Sequence, residues 1–174
     1  MTQDSASRPM PHSAVGTAIF GPIEDTHIEL IHALGFPGIE IYGSSSRPYL
    51  ERSQELKSVL DRNNVTLVTI SNRNEVNGRP VDFIDPDLRQ ETIDDHVAWV
   101  RKLYPVFGCK HFKINMGNRP PGGTTDAQLE VLADSLNQLG CATAEMGVKL
   151  APHPHIWGPI ERPHEIHRLM ELTD

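Results

Sequence analysis

The sequence predicts an α/β chain of about five parallel βα units, part of a (β/α)8 barrel. Short β-type runs alternate with helix-type runs at intervals of about 25 to 45 residues, and strands separated by whole helices must pair in parallel. Polar residues in those strands also fall on one parity. A doubly wound sheet is covered by helices on both faces and favours continuous apolar runs, whereas a barrel converges polar side chains at its mouth. The parity therefore favours the barrel, which at five units is about three units short of closure.

The elements follow in order. Residues 1–13 are rich in Ser and Pro without an apolar stretch, which reads as a disordered leader and not a secretory signal; residues 14–174 form the incomplete barrel domain. The first strand is expected at Ala14–Phe20. A helix from about Glu24 places Ile28, Ile31 and Leu34 at helical spacing and stops at Gly35. Gly38–Tyr42 is the second strand. A helix from about Tyr49 carries Leu50, Leu56, Val59 and Leu60 to a stop at Asn63 and Asn64, and Val65–Ile70 forms the third strand.

The connection from Ser71 to about Asp85, with Asn77-Gly78 and Pro80, is long for a βα loop and so reads as functional or mobile. The next helix runs to Phe107 with Ile93, Val97, Val100 and Leu103 on one stripe, Pro105 disturbing its last turn and Gly108 ending it. His111–Asn115 is the fourth strand. Thr125 and Gln128 make a capping box for a helix whose Leu129, Leu132, Leu136 and Leu139 face the core before Gly147. Val148–His153 is the fifth strand, and a final helix begins near Glu161-Arg162-Pro163, with Pro in the favourable first turn.

Composition excludes several functions. A net charge of −7 and a pI near 5.7 lack the basic face that a nucleic-acid backbone requires. No segment has the length of a membrane span. Cys109 and Cys141 have neither metal-knuckle nor redox-pair spacing, so no disulfide framework is expected and a cytoplasmic setting fits.

Alternation places Glu40 with Tyr42, Lys113 with Asn115, Thr69 with Ser71 opposite Val68 and Ile70, and Lys149, Ala151, His153 and His155 together if the last strand persists. Glu40 reads as a ligand for a substrate hydroxyl, as a base, or as a buried partner of Lys113. Lys113 reads as an anion binder or as that partner. Trp157 reads as an apolar wall for a ligand or as core cover. His153 and His155, two residues apart, offer two imidazoles to a shared cation, or one imidazole bonds the backbone and the other is solvated. His164 and His167 read as solvated, and His27, His32 and His96 as structural.

The stretch from Ala144 to Asp174, with Val-Lys-Leu-Ala-Pro-His-Pro-His-Ile-Trp-Gly followed by Glu165-Ile166-His167-Arg168-Leu169-Met170, resembles the fifth unit of the xylose isomerase-like sugar phosphate isomerase/epimerase superfamily, a TIM-barrel group. Within it the inosose dehydratase branch is most similar. Gly38–Tyr42 and Phe112–Asn115 resemble its second and fourth strands. The resemblance implies a small sugar or polyol substrate, with proton transfer beside a carbonyl at a mouth that holds a divalent metal such as Mn, Co, Zn or Mg. An inosose dehydratase-type lyase is the alternative chemistry.

The resemblance also implies roles. Glu40, Lys113 and His155 are the catalytic candidates; Tyr42, Asn115 and Trp157 are the substrate-binding candidates. His153 is the metal candidate, standing where relatives carry a Glu ligand, with His155 matching the His that follows two residues later. The remaining ligands of relatives lie on strands six to eight, so this chain alone is expected to be inactive. A reading from another class is a non-catalytic partial barrel that joins a partner, or another copy of itself, through open sheet edges.

Overall fold

The computed structural model describes residues 23–72 and 75–174. The expected leader and first strand lie outside the described residues. Helix α1 (Asp25–Ala33) buries Ile28 and Ile31 and ends before Gly35, whose φ of +84° suits a residue without Cβ. Strand β1 (Gly38–Ile41) is followed by the one-turn α2 (Gly43–Ser46) and a 3-10 turn over Arg47–Tyr49. Only then does α3 (Ser53–Arg62) begin, burying Leu56 and Leu60. The helix expected from Tyr49 is thus delayed to Ser53, and Leu50 precedes it. The chain then turns through Asn64, which takes a φ of +53°, into β2 (Thr66–Ile70).

The long connection after β2 is not irregular throughout. Glu75–Val76 (β3) and Arg79–Pro80 (β4) pair antiparallel around Asn77 and Gly78, both at positive φ, the two-residue turn that matches strand twist. Helix α4 (Arg89–Phe107) continues through Pro105 and ends at Gly108, at φ +69°, whose N–H donates to Tyr104 O at 2.9 Å. After β5 (His111–Ile114), α5 (Asp126–Ala144) starts at the expected capping box: the Gln128 N–H donates to Thr125 Oγ1, and the Thr125 N–H to Gln128 Oε1. Strand β6 (Lys149–Pro152) and α6 (Pro163–Leu172) complete the described chain.

The strands form two parallel pairs, β1 with β2 and β5 with β6. Between the pairs, the Asn72 N–H donates to Lys113 O at 3.3 Å and the Thr69 hydroxyl to His111 O at 2.7 Å, so β2 and β5 meet partly through a side chain. Ile39, Ile41, Leu67, Ile70, Phe112 and Ile114 are buried in the core with residues of the helices, while Glu40 and Lys113 stay partly exposed. This is the α/β arrangement of a partial barrel. Among the described residues no helix is long and apolar enough to cross a membrane. Cys109 is buried, which pushes its thiol up to about 12, and Cys141 is exposed; both are free.

Alternation fails in β2. The register shifts between Ile39 and Glu40, which face Leu67 and Thr69 respectively, so Val68 is extra. Val68 presses on Gly38, where a Cβ would lie 2.8 Å from its Cγ2. The Thr69 hydroxyl lies 3.3 Å from the Tyr104 hydroxyl of α4, and the Ser71 hydroxyl donates to Glu40. At the free edge of β6, an apolar groove of about 620 Å³ runs past Leu136, Leu150, Ile166, Leu169 and Met170.

Candidate active site

The C-terminal ends of the four parallel strands carry the polar residues. Glu40 on β1 and Lys113 on β5 form an ion pair of 2.5 Å, with side chains 20% and 26% exposed. Ser71 donates to the same Glu40 oxygen, Oε1, at 2.9 Å. Both partners engage Oε1. The pairing foreseen as one reading of these residues is present, and its partial exposure keeps both charges accessible.

His153 follows β6, its N–H donating to Ile114 O at 2.9 Å, and it is half-buried. Its pKa lies below the usual imidazole range, first because burial disfavours the cation and then because the Lys113 and His155 charges repel it; Glu40 opposes the shift. The four groups Glu40, Lys113, His153 and His155 thus converge at one end of the sheet. The two imidazole centroids are 5.7 Å apart.

The strand itself ends at Pro152, and the extended parity does not reach His155. Instead Gly158 N donates to His155 O at 2.8 Å, closing a turn over His155–Gly158. The His155 Nδ1–H donates to Ile156 O at 2.5 Å, which leaves Nε2 for other chemistry.

Beside these groups lies a cavity of about 370 Å³, lined by Tyr42, Asn115, His153, His155 and Trp157 together with the β3–β4 hairpin and residues 116–118. All three substrate-binding candidates therefore share one cavity with both imidazoles, whereas Glu40 and Lys113 are not part of its lining. Asn115 Nδ2 donates to the Tyr42 hydroxyl at 3.4 Å, and among the described residues the buried Asn115 Oδ1 has no donor. A buried acceptor without a partner suits a ligand hydroxyl.

The residues present do not by themselves fit a divalent cation. Among the described residues no three His, Cys, Asp or Glu side chains meet at one point, and the Lys113 charge acts on His153.

Three supporting residues escaped the sequence reading. Asn72, 1% exposed, stands in for a strand backbone: its Oδ1 accepts from Asn115 N at 2.8 Å and its Nδ2 donates to Asn115 O at 2.9 Å. Its second amide hydrogen goes to His96 Nε2 at 3.0 Å, while His96 Nδ1 donates to Thr92 O at 2.7 Å. His96 is structural, as expected from its place in a helix. Arg119 and Glu165 are the other two, a bidentate pair at 2.6 and 2.9 Å. Glu165 is held down at about 2, chiefly by the Arg119 hydrogen bonds and further by the N–H groups of Glu161 and Arg162, against the effect of burial. A carboxylate three residues after the helix N-cap is the available sequence signal. His164 and His167 are exposed.

A model of the xylose isomerase-like TIM barrel family matches residues 28–174. An inosose dehydratase of Geobacillus kaustophilus is 32% identical over 105 residues, 53% of this chain and 34% of the relative. Among solved structures, D-psicose 3-epimerase from Clostridium cellulolyticum superposes with a TM-score of 0.70 at 18% identity, covering 91% of this chain and 59% of that one. A family 2 AP endonuclease from Brucella melitensis gives 0.68 at 16% identity, covering 85% and 58%. The chain thus matches about a third of the length of that curated relative and under two thirds of these structural neighbours.

Proposed function

The chain belongs to the xylose isomerase-like TIM barrel family, and from that premise we propose that it supplies the acid/base side of a barrel mouth where a small sugar or polyol ketone exchanges the proton beside its carbonyl. The observation that carries this reading is the convergence of Glu40, Lys113, Ser71 and His153 at the strand ends.

In this scheme Glu40 Oε2 takes the proton, while Ser71 and Lys113 hold Oε1 and fix the carboxylate's orientation. The Lys113 ammonium lies where it offsets negative charge developing on the substrate oxygen. His153, kept neutral by its surroundings, accepts or returns a proton from the cavity side, and His155 does so through Nε2. Return of the proton to carbon completes an isomerase or epimerase reaction; loss of a neighbouring hydroxyl, protonated by His155, completes a dehydratase reaction. The inosose dehydratase relative and the epimerase neighbour support these two outcomes, and the imidazole pair serves both. The metal role that the resemblance gives His153 would draw its further ligands from strands six to eight of relatives; the steps above use only this chain's own side chains.

The test is deuterium wash-in: the chain is incubated in heavy water with an inosose or D-tagatose, and NMR follows exchange of the hydrogen next to the carbonyl. Wild type is expected to exchange it, because that half-reaction calls only on the acid/base groups this chain carries while full turnover is expected to need strands six to eight, and Glu40→Gln slows the exchange by about 100-fold. No exchange with either compound, or equal rates for wild type and Glu40→Gln, overturns the reading.

A further inference from the structure

We infer that Trp157 is retained at the expense of stability as an aromatic wall of the cavity, and that Arg119 and Glu165 are the positioning residues that hold it there. Only the identity of what the indole touches rests on the proposed function; how the indole is held stands on geometry alone.

Trp157 sits at the third position of the His155–Gly158 turn with a φ of +64°. That position of a turn accepts positive φ readily only for Gly or Asn, and a bulky residue there is strained. The indole recovers little by burial, since it is 73% exposed. A large side chain in an unfavourable backbone state, left in solvent, is a poor solution for folding. Lining the cavity is the one role these observations leave it.

The backbone is held on both sides. Trp157 N donates to Glu161 Oε2 at 3.0 Å, and Trp157 O accepts from Arg119 N at 2.6 Å. The Arg119 guanidinium is anchored on both oxygens of Glu165, which is 2% exposed. Glu165 Oε2 also accepts from the N–H groups of Glu161 and Arg162, at 2.9 and 2.8 Å. One buried carboxylate therefore ties three parts of the chain together: the loop before α5, the segment after the turn, and the first turn of α6. Thr124 adds a fourth tie, its hydroxyl donating to Pro159 O at 2.5 Å. An exposed aromatic face beside Tyr42 and the unpartnered Asn115 oxygen suits a ring that shows C–H groups to the indole and hydroxyls to the amide, the two surfaces of a cyclic polyol.

The test uses fluorescence and unfolding and needs no turnover. Trp99 is buried, so a Trp99→Phe background makes Trp157 the sole emitter; if that background is unstable, the difference between wild type and Trp157→Phe serves instead. Trp157→Gly is expected to raise the unfolding midpoint by about 2–8 °C, because the strain is released. Arg119→Lys keeps the charge but loses the fork, and is expected to lower Trp157 anisotropy. Titration with myo-inositol is expected to change the Trp157 emission in the wild-type loop and not in Arg119→Lys. A midpoint lowered by Trp157→Gly, an anisotropy unchanged by Arg119→Lys, or an emission indifferent to the polyol overturns the inference. These results stand whether or not deuterium wash-in is seen, so the two readings fail separately.

Discussion

Asn72→Ala is expected to destabilise the chain by about 3–4 kcal/mol, a large share of a typical domain's margin. Its side chain makes three hydrogen bonds, to Asn115 N, Asn115 O and His96 Nε2, at 2.8 to 3.0 Å. Truncation leaves three polar groups without partners in a site that is almost fully buried, and each buried orphan costs about 1–3 kcal/mol before relaxation. Asn72→Asp does not rescue: it keeps an acceptor for the Asn115 N–H but loses both donors and buries a charge beside a carbonyl. Urea unfolding measures the effect, with the midpoint falling and the slope unchanged. Because Asn72 is what holds Asn115 in line with β2, the same variant is expected to weaken any ligand contact made by Asn115 or Tyr42.

Gly43→Ala is expected to cost about 2–3 kcal/mol and to disturb the mouth directly. A Cβ at Gly43 would lie 2.6 Å from the carbonyl oxygens of Ser71 and Asn72, backbone atoms that no rotamer change moves aside. Either α2 lifts from the end of β1 or the 71–72 segment shifts, and the second response carries the Ser71 hydroxyl away from Glu40. Circular dichroism melts report the stability loss. A wash-in rate that falls by more than the unfolded fraction explains reports the displaced hydroxyl.

Gly43 also shows where sequence reading stops. Its neighbours Gly38–Tyr42 alternate so plainly that Glu40 could be placed on a polar face, and Lys113 placed opposite by the same rule in the fourth strand. That much is local periodicity, and it led to the ion pair. The same rule could not show that Val68 is an extra residue, because a one-residue register shift between β1 and β2 is a property of two strands and leaves no periodic trace in one. The hairpin at residues 75–80 carried a signal in Asn77-Gly78, yet two-residue strands are too short for alternation to mark.

The imidazoles tell a similar story. His153 and His155 were grouped by assuming that the strand continued, and they are neighbours in the structure, but a turn brings them together after the strand has ended at Pro152. Asn72 bonds Asn115 and Arg119 bonds Glu165 across more than 40 residues, and the only local sign of either is the place of Glu165 three residues after the N-cap of α6. Trp157 was found as an aromatic candidate from its type. Its left-handed backbone follows from the ties that Arg119 and Glu161 make to it.

The gathering of Glu40, Lys113 and His153 around one mouth is tested most directly by titrating the His153 ring by NMR in three chains. The structure predicts a His153 pKa below the ordinary imidazole value of about 6.5. It predicts a rise in Lys113→Met, where a repelling cation is removed, and a further fall in Glu40→Gln, where a stabilising anion is removed. A His153 that titrates in the ordinary range and ignores both substitutions would show that the three groups do not share a site.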